Sequence, residues 1–230
     1  MTLKRATRRS TALLAVPAAL ALVVATPALA HGGGSGASDG RQGRVHQVDL
    51  RQLNDSGASG TASLGLQGRQ LTVTIDARGL VPGQPHAQHI HGSTDGHNFR
   101  CPDAGADKNR DGIVTTTEGL PAYGDINISL TTKGDTSKAS GLAVDRMPVA
   151  DKDGNVSYSR TITVSQAIAD HIKDLHIVQH GIDVNGNGEY DFGKGRSELD
   201  PKLPQEATAP ANCGTIKGSS GEPTNMDGHR

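Results

Sequence analysis

Apolar residues recur at every second position in short runs broken by turn residues, and this period of two commits the chain to β-strands. Ala62, Leu64 and Leu66 alternate with small or polar neighbours, and Leu71, Val73 and Ile75 do so again. Side chains two apart leave the same face of a strand, so each run supplies one buried face. Val45, Val48, Leu50 and Leu53 make a less regular strand, closed by the turn Asn54–Gly60. Leu80-Val81-Pro82-Gly83 turns the chain into His86–Gly92. Ile126, Ile128 and Leu130 mark a strand over Asp125–Thr131, and the turn Asp151–Asn155 opens another over Val156–Val164. Ser165–Asp170 reads as a short helix with Ser165 as its N-cap, and Leu175–His180 as a last buried strand. Short strands, one helical turn and long polar loops predict one all-β domain over 44–216, an antiparallel sandwich or barrel.

What precedes and follows that domain is read from composition. Lys4 to Arg9 form a basic stretch, Ala12 to Ala25 an apolar run, and Ala28-Leu29-Ala30 a small-residue cleavage pattern. Together they predict a secretory signal over 1–30 and an extracellular protein. The apolar run contains Pro17 and is too short to span a bilayer, so no membrane attachment is expected after cleavage. Residues 31–43 are Gly- and Ser-rich and are expected to be flexible, as is the polar tail 217–230.

Composition also excludes function classes. The formal net charge is −1, and the leader carries four cations and no acid, so the remainder is mildly acidic. Such a chain lacks the basic footprint that nucleic acid or an anionic membrane requires. Five aromatics, Phe99, Phe192, Tyr123, Tyr158 and Tyr190, cannot form a stacking platform. Ten histidines, all beyond residue 30, outnumber them. Neither a nucleophile elbow, a phosphate loop nor a His-Glu-x-x-His motif occurs.

Export also sets the redox state. Cys101 and Cys213 are the only cysteines, and two thiols in an oxidising compartment read as a disulfide rather than as a zinc pair or a nucleophile. Enclosing most of the domain, that bridge would stabilise it by about 4 to 5 kcal/mol on the loop-entropy account and pin the last strand to the body.

His89 and His91 stand two apart in a strand, so both rings leave one face and can meet one ion. Gly79–Gly83 precedes the run His86-Ala87-Gln88-His89-Ile90-His91-Gly92, His180 ends the run Leu175–Gly181, and Ala211-Asn212-Cys213-Gly214-Thr215-Ile216 closes the domain. In this ordered set the chain resembles the copper/zinc superoxide dismutase family, and its Ala-x-His-Ile-His-Gly run is also similar to that of CHRD-domain secreted proteins. The dismutase resemblance implies a Greek-key β-barrel, copper on His89, His91 and His180, a structural role for His86 and a Cys101–Cys213 disulfide. Imidazole suits Cu(II), and an open position would admit a small oxygen species, here superoxide. His176 is a candidate to support the ligands from behind, and His97 a candidate fourth ligand in a loop that does not match the family. Three departures stand out. No histidine lies between His97 and His171, so the bridging and zinc histidines have no counterpart. Only Tyr123-Gly124-Asp125 retains a Gly-Asp like that of the zinc site. Pro210 stands where the family carries its active-site arginine.

A further motif lies between these segments. Asp107-Lys108-Asn109-Arg110-Asp111-Gly112-Ile113-Val114-Thr115-Thr116-Thr117-Glu118 matches the twelve-residue EF-hand loop at positions 1, 3, 5, 6, 8, 9 and 12. Asp107, Asn109 and Asp111 supply oxygens, Gly112 the sharp turn, Ile113 its carbonyl, Thr115 a further position and Glu118 a bidentate carboxylate. This predicts calcium held in an isolated loop, since Arg100-Cys101-Pro102 before it and Gly119-Leu120-Pro121 after it argue against flanking helices. Asp183–Asp191 repeats the first half of the pattern, but its twelfth position is Lys194, and it reads as turns more than as a second calcium loop.

Three functions follow: an exported copper and calcium protein with superoxide dismutation as its reaction, a non-catalytic CHRD-like module with a structural histidine cluster, or a copper-holding protein. With so few large side chains, the core is expected to be thin and to lean on the disulfide and the calcium loop.

Overall fold

The computed structural model describes residues 43–218; the predicted leader, nearly all of the Gly/Ser segment and the tail from 219 onward lie outside the described residues. Eight strands follow in chain order: β1 (Arg44–Gln52), β2 (Ser59–Gln67), β3 (Gln70–Arg78), β4 (Gln88–His91), β5 (Ile126–Ser129), β6 (Val156–Thr163), β7 (His176–His180) and β8 (Pro210–Thr215). They form one antiparallel sheet in the order β5-β4-β7-β8-β1-β2-β3-β6. The all-β expectation therefore holds.

Register follows the alternating pattern. Ala62 faces Ile75, Leu64 faces Val73 and Leu66 faces Leu71, so the two regular runs lie side by side on the buried face. The parity of β1 is set by Val48 and Leu50, and this corrects the sequence reading: His46 takes the inward position and Val45 faces solvent. The buried His46 ring meets the Lys217 carbonyl through Nδ1 at 2.9 Å.

The sheet bends at β1, which pairs along most of its length with β2 but meets β8 only at Arg51 and Gln52. The two edge strands approach each other without backbone pairing. Arg160 Nη1 and Tyr158 Oη on β6 instead donate to the Thr131 carbonyl just past β5, at 2.7 and 3.2 Å. The result is a strongly curled sheet whose seam is held by side chains rather than by a ladder.

Inside the curl lies an aliphatic core that includes Leu64, Leu71, Ile75, Ile90 and Ile177. A smaller cluster of Tyr123, Val178 and Cys213 lies on the outer face of the other half of the sheet. Cys101 and Cys213 form the expected disulfide there, with Cα atoms 5.7 Å apart.

The single expected helix is one of three short ones: α1 (Thr116–Tyr123), α2 (Gln166–His171) and α3 (Gln205–Thr208). α2 starts as expected, with Ser165 Oγ accepting from the Ile168 N–H. α1 was not expected, because Gly119 and Pro121 disfavour a helix. Tertiary contact outweighs that penalty. Thr115 and Glu118 form a reciprocal capping box, Tyr123 Oη donates back to the Thr116 carbonyl at 2.9 Å, and Gly119 leaves space for the Tyr123 ring. Among the described residues no helix is long and apolar enough to cross a membrane.

Candidate metal centre

β4 and β7 are neighbours, and each buries both faces. Inward lie Ile90 and Ile177. Outward lie His89 and His91 from β4 and His176, Val178 and His180 from β7, the alternation that a two-residue period demands. His180 meets the pair from the neighbouring strand, with ring centroids 5.1 Å from His89 and 6.1 Å from His91, while His89 and His91 are 5.3 Å apart. The rings are only 3, 1 and 3 % exposed. Each offers one ligating atom, all within 4.8 Å of one another, and no other such group of histidine, cysteine or acidic side chains occurs among the described residues.

One nitrogen of each ring faces a backbone carbonyl. His89 Nε2 donates to Gly141 O at 3.0 Å, His91 Nδ1 to Gly124 O at 2.8 Å and His180 Nδ1 to Thr208 O at 2.7 Å. A carbonyl only accepts, so each of these nitrogens carries the proton. In a neutral ring the opposite nitrogen then holds a bare lone pair. Those nitrogens, His89 Nδ1, His91 Nε2 and His180 Nε2, are buried and without a hydrogen-bond partner among the described residues. Burial keeps the rings neutral, lowering His91 to about 3 and His180 to about 4, and His89 well below its ordinary value. Neighbouring rings add to the effect on His89 and His91.

α1 supports the site from one side. Thr116 Oγ1 lies 3.4 Å from His180 Nδ1 and donates to the carbonyl that His180 also uses, and the Tyr123 ring lies edge-on to His91 at 4.7 Å. His86 is fully buried outside the convergent group. Its Nδ1 meets the His180 carbonyl at 2.8 Å, and its ring is flanked by Tyr190. His176 is buried opposite His91 and has no hydrogen-bonded ring nitrogen, but it stands outside the convergent group. His97 is exposed in a loop beside Phe99 and is not part of the site. Asp125 is held below the usual carboxylate range by its ion pair with Lys138.

The predicted calcium ligands gather in one exposed loop with a regular set of turns. Asp107 accepts from the N–H groups of Arg110 and Gly112 at 2.7 and 3.0 Å, Asn109 from Asp111, and Asp111 from Ile113. Glu118 spans the loop, accepting from Lys108 and Asn109 on one oxygen and from Thr115 on the other. Thr115 Oγ1 caps α1.

Asp183–Asp191 repeats this network more closely than its sequence suggests. Asp183 accepts from Gly186 and Gly188, Asn185 from Asn187, and Asn187 from Glu189. Buried Glu206 of α3 accepts from Val184 and Asp191, the places in this loop that correspond to Lys108 and Thr115 beside Glu118. Sequence reasoning missed Glu206 because it is far along the chain. The carbonyls of Gly124, Gly141 and Thr208 were missed for another reason: every residue has a carbonyl, so no residue type marks them.

No protein-family model matches this chain, and a search of curated proteins finds no match.

Proposed function

We propose that this protein is an exported metal protein that holds copper on His89, His91 and His180. The observation that carries this reading is the set of three buried, unpartnered ring nitrogens, within ligating distance of one another, with every opposite nitrogen anchored to a carbonyl. A buried polar atom without a partner costs free energy, and three converging lone pairs gain most from a cation. Neutral imidazoles favour Cu(II) over Zn(II) and other first-row divalent ions. Bound copper would supply one-electron chemistry; the protein's own part is to fix three ring orientations and to exclude water.

The dismutase-like Greek key belongs to the same proposal. It is supported by the strand order: with β5 and β6 taken as neighbours across the seam, β7 returns to lie beside β4 after β4, β5 and β6. Calcium in Asp107–Glu118 is proposed on the loop motif and on the Glu118 carboxylate that spans it. Superoxide dismutation asks for positive charge at the site. Pro210 pairs with His180, and the cation beside the site, Lys138, is neutralised by Asp125, so copper holding is the reading supported best.

Equilibrium dialysis against Cu(II), with elemental analysis of the wild type and of His180→Ala, tests the proposal. One copper per chain, weakened at least about 100-fold by the substitution, is expected. Equal copper content in both proteins would overturn it.

A further inference from the structure

Above the three histidines lies a cavity of about 390 Å³, and its walls are at odds with a small anionic substrate. His89, His91 and His180 are among the residues that line it, with their unpartnered nitrogens buried. α1 contributes Leu120, the segment 138–144 contributes Leu142, and the segment 199–208 contributes Leu199 and Leu203. Leu120, Leu142 and Leu199 are 40, 40 and 43 % exposed, so three leucines on three separate elements stand around the mouth of one concave site. Three elements converging on such a rim are not the scattered exposure ordinary on a soluble surface.

The charged side chains of the wall, and the Thr116 hydroxyl, are already engaged. Lys138 and Asp125 pair with each other, and Thr116 Oγ1 donates to the Thr208 carbonyl. No unpaired charge therefore remains among the lining residues to compensate an anion. A volume of this order is the size that accommodates a small organic molecule, and burial of apolar surface is the attraction that these walls offer.

Resting on the copper reading above, we propose that the site takes a neutral organic molecule with an apolar body and a single nitrogen or oxygen donor. The donor would point at the metal position and the body would lie against Leu120, Leu142 and Leu199. The concave shape, with the three histidines in its lining, favours such a molecule over a flat protein surface, which could cover the leucines but not enter the cavity.

The test uses the copper-loaded full chain and three probes: imidazole, 4-phenylimidazole and azide. Each is titrated while the Cu(II) electron paramagnetic resonance spectrum is followed, and copper content is measured in parallel for every protein. The expected result is that 4-phenylimidazole binds at least about tenfold more tightly than imidazole, from the added apolar burial. Leu120→Ser combined with Leu199→Ser, and separately Leu142→Ser, should remove most of that preference while azide affinity stays unchanged. Equal affinities for the two imidazoles, or a preference that survives in both leucine variants, would overturn the inference while leaving the copper reading intact. Absence of a protein-bound copper signal would overturn the copper reading and the inference with it. Sedimentation of the same variants covers the other occupant: if the leucine substitutions convert a dimer to a monomer and no phenyl preference is seen, the mouth is an interface between copies and the inference fails.

Discussion

The two halves of the curled sheet are built on opposite plans. In β2, β3 and β6 one face is core and the other meets water, where Thr72 pairs with Thr161 and Thr74 with Ser159 at 2.8 and 3.4 Å. In β4, β7 and β8 nearly every residue is buried, because α1 and the long loops cover the outer face. Inward, Gln88, Gln179 and Asn212 stand side by side in a chain of hydrogen bonds that leaves Asn212 Oδ1 without a partner among the described residues. Asn212 donates to Gln179 at 2.7 Å, Gln179 to Gln88 at 3.0 Å, and Gln88 to the Leu130 carbonyl at 3.2 Å. Outward, His89, His91 and His180 are each satisfied on one nitrogen only. A half-sheet that pairs most of its buried amide groups yet leaves three converging lone pairs bare has the arrangement on which the copper proposal rests.

Acidification should separate the halves most strongly. In the metal-free protein burial holds His91 near 3 and His180 near 4, against 6.5 for an ordinary ring. Below pH 6.5 the unfolded chain takes up protons at these rings and the folded chain does not. Stability is therefore full above pH 6.5 and falls as the pH drops towards 4, flattening only where the folded rings themselves protonate. The slope is about 1.4 kcal/mol per pH unit for each ring over the range in which only the unfolded chain is protonated. Urea midpoints measured from pH 7 to 4 check this, and a flat profile would mean that the rings are already protonated or solvated. Copper should shift the fall to lower pH, since it binds only the unprotonated nitrogens.

Removing the disulfide by Cys101→Ser with Cys213→Ser should cost about 4 to 5 kcal/mol in chemical denaturation, because the closed loop spans most of the domain. A loss below about 1 kcal/mol would show that β8 is held by its ladder alone. Leu64→Ala in β2 should cost about 3 kcal/mol through the cavity it leaves, with copper content unchanged. His180→Ala should differ in lowering copper affinity at least about 100-fold, while the metal-free protein also loses stability through the cavity left by the buried ring and the lost hydrogen bond to Thr208 O. If Leu64→Ala also lowered copper affinity, the two halves would be coupled more tightly than their separate cores suggest. Thr72→Ala, on the solvated face, should stay within about 0.5 kcal/mol of the wild type in the same denaturation assay.

Much of the plain half was legible from residues alone. Its alternation is regular, and a strand with one wet face has to show it. The half that carries the site was legible only in part. His89 and His91 announce themselves by spacing, and Cys101 and Cys213 by being the only two cysteines. His46 was misread because Val45 suggested the wrong parity, and α1 was missed because Gly119 and Pro121 outweigh the capping box locally. Asp183–Asp191 looked incomplete because its spanning carboxylate, Glu206, comes from another element.

The chain by itself thus determined most of its strands, though not β8, which follows the expected last strand, together with its His-x-His pair and its disulfide, all of which depend on residue type, count or short-range spacing. Only tertiary structure decided that β7 lies beside β4, which brings His180 to the pair. It also decided which nitrogen of each ring is bare, because the carbonyls of Gly124, Gly141 and Thr208 set that choice. The apolar mouth is likewise tertiary, since Leu120, Leu142 and Leu199 come from three elements that no local pattern connects. Convergence and protonation state are properties of neighbours in space, and a backbone acceptor carries no residue signature by which they could be read beforehand.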